Sequence, residues 1–149
     1  MNKLNLYKQL KDKQSKEVND FPMMFAFSTD QFNEGMKKLG LCSTNTDKIC
    51  SIGGGGYIKK SDSNALHEMG ELHSKEMKES IEADKTGNNF IYDMFYYELN
   101  NHEYGYTGEI EDTIDALDLT RKGINNNPIL LHGLKKACKD IRQQELEAE

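Results

Sequence analysis

Four histidines, three cysteines and twenty-five carboxylates are the groups from which this chain could build a reactive or metal-binding centre. His67-Glu68-Met69-Gly70-Glu71-Leu72-His73 looks at first like a metalloprotease helix, which places two histidines at i and i+4 on one face. Here the histidines are six apart and point in different directions, so the zinc-protease reading fails; His67 and Glu71, at i and i+4, are the pair left that could share a metal. His73 falls within an apolar stripe, where a hydrogen-bonded core histidine is the simpler reading. His102 and Glu98, four apart, would be the base and carboxylate of an enzyme, and a carboxylate cluster holding a divalent metal is the other enzymatic option, but no motif supports either. Cys42, Cys50 and Cys138 stand at no metal-ligand spacing and are odd in number, as expected of free thiols in a reducing cytoplasm. Nothing in the pattern calls for a cofactor.

Gly53, Gly54, Gly55 and Gly56 raise the question of a phosphate-cradling loop. The known phosphate loops need Gly-Lys-Ser/Thr at their end, or spaced glycines running directly into a helix, whereas Tyr57-Ile58-Lys59-Lys60 intervenes here. Two β-prone runs, 48–52 and 57–60, flank the glycines, so the block reads as a hairpin turn or a flexible flap, with the glycines free to take positive φ.

The densest chemistry lies between Phe90 and Leu119, which holds eight carboxylates and five of the seven tyrosines, while no Lys or Arg occurs from Thr86 to Thr120. The rest of the chain therefore nets about +2 against a total of −6. Segregated charge of this kind steers association with Lys- and Arg-rich surfaces. Ile110, Ile114 and Leu117 recur at i, i+4 and i+7, which turns Glu109, Glu111, Asp112, Asp115 and Asp118 outward. These five acids, with Tyr104 and Tyr106 beside them, form the expected contact surface for a positively charged protein partner. Direct nucleic-acid binding through the lysine-rich N-terminal segment is disfavoured by the net charge and by only two arginines.

These residues must be positioned by a core. At 149 residues the chain suits a single domain, expected to span 1–149 with a charged tail fraying from Arg142 to Glu149. Leu4, Tyr7 and Leu10 mark a first amphipathic helix. Phe21 to Phe27 reads as a buried strand with proline at its start. Ser28 and Gln31 stand at capping-box spacing before a helix carrying Phe32, Met36 and Leu39 and ending at Gly40. Ser61 to Asp84 is the clearest amphipathic helix. Phe90 to Leu99, apolar nearly all round, predicts the central helix. Asn127-Pro128 opens a terminal helix with Leu130, Leu134, Ala137, Cys138 and Ile141 inside. The expected fold is α+β: four or five helices packed with a small antiparallel sheet from residues 21–27, 48–52 and 57–60. No apolar run approaches the roughly 18 residues of a membrane span, and the opening residues carry no apolar signal region.

Seventeen lysines against two arginines, with abundant asparagine, point to an AT-rich coding sequence, as in a low-GC bacterium or its phages and plasmids. The segments FPMMFAFSTDQFNEGMKKLGL, SIGGGGYIKK and IYDMFYYELNNHEYGYTGEIEDTIDAL resemble small uncharacterised proteins encoded by phages and mobile elements of gut and oral bacteria, over residues 4 to about 140. The resemblance implies a context, not a catalytic residue. It implies action in the cytoplasm of a bacterial host, against a host defence protein such as a CRISPR nuclease.

Overall fold

The computed structural model describes residues 3–148. In chain order these form α1 (Leu6–Asn19), β1 (Met24–Phe25), α2 (Thr29–Lys38), β2 (Ile49–Gly53), β3 (Gly56–Lys59), α3 (Ser63–Ala83), α4 (Phe90–Asn101), α5 (Tyr104–Thr107), α6 (Glu111–Ala116), α7 (Arg121–Asn125) and α8 (Pro128–Ala148). The class is α+β, as expected, with more helices than the four or five anticipated. The surplus comes from α5, α6 and α7, which are one to two turns long. No helix among the described residues is long and apolar enough to cross a membrane. The chain contains two compact units: residues up to 14 with those from 76 onward, and Ser15–Lys75.

In the second of these units the strands pair antiparallel in the order β1-β3-β2. The expected seven-residue first strand shrinks to Met24–Phe25, paired with Tyr57 and Gly56. Only Met24 turns inward there, while Phe25 and Phe27 stay 55% and 78% exposed. Met24 and Ile49 pack with Met36 of α2 and with Leu39, which caps its C-terminal end, and Phe32, Leu41 and Tyr57 close the margin. A Cβ at Gly35 would run into the Met24 side chain, which explains a glycine in mid-helix despite its propensity cost. Ser28 Oγ accepts the Gln31 N–H at 3.2 Å and Gln31 Oε1 accepts the Phe27 N–H at 2.7 Å, so the capping signature starts α2 as read. Gly53 pairs with Gly56, leaving Gly54 and Gly55 as a two-residue turn with φ of 58° and 79°. Both central residues at positive φ is the twist-matched hairpin geometry that glycine serves best.

The larger unit is built around α4. Phe90, Ile91, Met94, Phe95 and Leu99 are buried among Tyr7 of α1, Ile114, Ile124 and the Leu130, Leu134, Ala137, Ile141 stripe of α8. Tyr92 and Tyr96 belong to the same nearly all-apolar run as Phe95 and Leu99. They are only half-buried, stacked on each other with centroids 5.7 Å apart, and their hydroxyls donate to Asp140 at 2.6 Å and Gln144 at 3.0 Å on α8. Close approach of the α4 entry to α8 requires Gly133, whose Cβ would lie 2.5 Å from Ile91 Cγ2 and 2.9 Å from the Gly87 carbonyl. The turn before α4 is held by buried Asp84: one carboxylate oxygen accepts from Gly87 N–H (2.8 Å), Thr86 N–H (3.1 Å) and Thr86 hydroxyl (3.2 Å), the other from Asn89 and Ile91 N–H (3.0 Å each). Asp93, polar on an apolar helix, also works on backbone: its carboxylate accepts the Leu6 N–H at 2.9 Å and its carbonyl accepts the Asn5 amide at 3.0 Å, anchoring the start of α1. The segment from Arg142, expected to fray, continues α8 to Ala148 with its side chains exposed.

Candidate functional site

The sequence assigns the contact surface to residues 104–118, and the structure divides them into two kinds. Tyr104 is not surface. It is 5% exposed and belongs to the same core cluster as Cys138 of α8. Burial first, then the neighbouring Cys138, raises its pKa, and burial likewise pushes up the Cys138 thiol. The reason is local: Glu103 takes a left-handed φ of 59° after α4, which reverses the chain and drops the next side chain into the core. Two residues on, Tyr106 is 92% exposed. Glu109, Asp112, Asp115 and Asp118 are exposed too, and among the described residues none of them enters an ion pair.

Glu111 departs from the expectation of uncompensated charge. Arg121, just past the lysine-free stretch, sets its guanidinium on both Glu111 oxygens, Nε to Oε2 at 3.0 Å and Nη2 to Oε1 more closely still. That bond holds the Glu111 carboxyl below its usual range. Two more of the eight acids, Asp93 and Glu98, are buried and leave the surface altogether. The structure adds acids that sequence proximity hides. Glu145 of α8 lies against α5, its Oε1 2.8 Å from where a Gly105 Cβ would sit. It joins Glu103, Asn100, Gly105 and Tyr106 around an open depression of about 450 Å³. Only the missing Cβ of Gly105 could have hinted at this approach.

The alternative chemistries take other forms. Glu98 does not meet His102 through its side chain; the bond joining them is backbone, His102 N–H to Glu98 carbonyl at 3.0 Å. Burial first, and then the charge of Glu98, raises the pKa of the Tyr7 hydroxyl. The Glu98 Oε1 has no hydrogen-bond partner among the described residues and lies 3.9 Å from Lys11 Nζ, the ammonium resting over the Tyr7 and Tyr97 rings. His67 and Glu71 contact each other directly at 2.9 Å on an exposed helix face. His73, half-buried, bonds to Glu17 at 3.0 Å. Gly53 to Gly56 make the tip of the hairpin, where the Gly55 carbonyl accepts the Ala26 N–H at 2.9 Å and the Phe27 ring covers the Gly55 Cα.

Fold and surface together define a small α+β protein whose distinctive exterior is an acidic face with one projecting aromatic ring. The chain belongs to the family of unknown function DUF7659, whose model matches residues 6–140. No curated protein and no solved structure matches it significantly.

Proposed function

We propose that this protein acts by binding, through its acidic Tyr106 face, a host protein with a basic surface. The observation that carries the reading is Tyr106 itself, 92% exposed beside Glu103 and Glu145, neither of which has a cationic partner among the described residues. A tyrosine held out from a short helix offers apolar contact area at low entropy cost, and unpaired acids supply steering and register. Supporting this, Glu103 and Asp118 occupy left-handed backbone, φ 59° and 54°, at positions following helix ends where glycine is unstrained. The chain carries acids there at a conformational cost. A basic surface that ordinarily holds nucleic acid, as on a host nuclease, is the partner whose charge fits, and the sequence resemblance to proteins of phages and mobile elements agrees with it.

The test compares the parent with a variant carrying Tyr106→Ala, Asp112→Asn and Asp115→Asn as baits in a low-GC bacterial lysate, at low and high salt. A basic protein retained by the parent, released by salt and not retained by the variant supports the reading. The same protein retained equally by both moves the function away from this face.

A further inference from the structure

We propose that the outer edge of β1 is a pairing site for a second copy of this chain, joining two three-stranded sheets into one continuous sheet. Phe21 to Phe27 is an apolar run, yet only Met24 and Phe25 are paired, and on one side alone. With the strand order β1-β3-β2, the other side of β1 is a sheet edge. The Ala26 N–H donates to the Gly55 carbonyl at 2.9 Å, so Ala26 and, two residues back, Met24 direct their main-chain groups toward β3. By the same alternation the N–H and C=O of Phe25 point outward. Among the described residues, no backbone bond outside the β1–β3 pair involves them.

The side chains around this edge form an apolar patch. Phe25 and Ile52 both reach into the space a Gly56 Cβ would take, at 2.9 and 2.8 Å, and the Phe27 ring comes within 2.5 Å of where a Gly55 Cβ would sit. All three are more than a third exposed. The charges that guard exposed sheet edges are missing: no Lys, Arg, Asp or Glu occurs from Phe21 to Thr29 or from Ile49 to Ile58. The net charge of −6 therefore lies wholly outside these segments. Two copies repel elsewhere, but here they meet without like charges opposed. A two-fold axis through Phe25 sets the strands antiparallel, with Phe25 opposite Phe25, Met24 opposite Ala26 and Met23 opposite Phe27. Every facing pair is then apolar, and the outward groups of each Phe25 bond to those of the other. A foreign strand meets the same hydrogen-bonding edge, but only a copy brings this matched set of side chains with it. None of the residues of the acidic face takes part.

Sedimentation equilibrium of the full chain from micromolar to millimolar concentration, with amide hydrogen exchange at both ends of the range, tests the pairing. A reversible monomer–dimer equilibrium is expected, with the Phe25 amide exchanging more slowly in the dimer. Phe25→Lys sets like charges opposite each other and should raise the dissociation constant about tenfold or more, while Tyr106→Ala leaves it unchanged. Phe25→Thr, which keeps strand propensity and removes the ring, should weaken the dimer less than Phe25→Lys does. A chain that stays monomeric at millimolar concentration overturns the proposal. So does a dimer that neither Phe25 substitution weakens. Protection of the Phe25 amide produced only by an added valine-rich peptide assigns the edge to a foreign strand and likewise overturns self-pairing.

Discussion

Glu103 and Asp118 are single residues whose backbone and side-chain roles oppose each other. Left-handed φ costs an L-residue roughly 1–2 kcal/mol, so Glu103→Gly and Asp118→Gly should each raise stability by about 0.5–1 kcal/mol, after glycine's own entropy is subtracted. Thermal or urea melts read this, and a loss of stability would show that the carboxylates are structurally engaged. Asp84 makes the opposite case. Burial raises its pKa, but four backbone N–H donors outweigh burial and the net shift is downward. A depressed folded pKa contributes stability above the unfolded value of about 3.9, lost as pH falls through the folded one. Asp84→Asn, which turns an amide toward N–H donors, should cost roughly 2 kcal/mol at neutral pH. It should also flatten the acid limb of the stability curve. Tyr7 and Tyr92 carry the reverse sign: both are raised, by burial first and then by an adjacent carboxylate, so their contribution holds below about pH 10 and is lost above it. Tyr92→Phe should reduce the alkaline loss.

At the scale of elements, α4 and the glycine hairpin were legible because their signals are local. A ten-residue apolar run and four glycines between β-prone segments admit few alternatives. Phe95 is fully buried, and Phe95→Ala should cost roughly 3–5 kcal/mol, measured by denaturant unfolding. In the turn, Gly54 has positive φ and open space, so Gly54→Asn should be nearly neutral; Gly55→Ala, whose Cβ would lie 2.5 Å from Phe27 Cε1, should destabilise by about 1 kcal/mol or more. Equal effects would mean that the Phe27 ring gives way freely. What was not legible depended on partners far along the chain. Burial of Tyr104 follows from Glu103's reversed backbone and from Cys138. Length of β1 was misjudged because an apolar run does not tell which of its residues face water, and Phe25 and Phe27 do.

For the molecule as a whole, acid-rich sequence overstated acid-rich surface. Of the eight carboxylates between Phe90 and Leu119, Asp93 and Glu98 are buried and Glu111 is neutralised by Arg121. Glu145 enters from the C-terminal helix to enlarge the face. Charge segregation therefore survives folding in a smaller and differently composed patch. Arg121→Gln would free Glu111 and should cost under about 1 kcal/mol, as exposed pairs do, while strengthening retention of a basic partner at low salt. Unchanged retention would place Glu111 outside the contact.

The grip of Asp93 on Asn5 and Leu6, across 88 and 87 residues, bears on how the chain emerges from the ribosome. The α1 segment leaves the exit tunnel well before α4, and at 5–20 residues per second it waits several seconds for the carboxylate that holds its first turn. Tyr7 waits still longer for Ile141 and the rest of the core around it. During synthesis α1 is thus secured only when the α4 and α8 segments have followed it out of the tunnel.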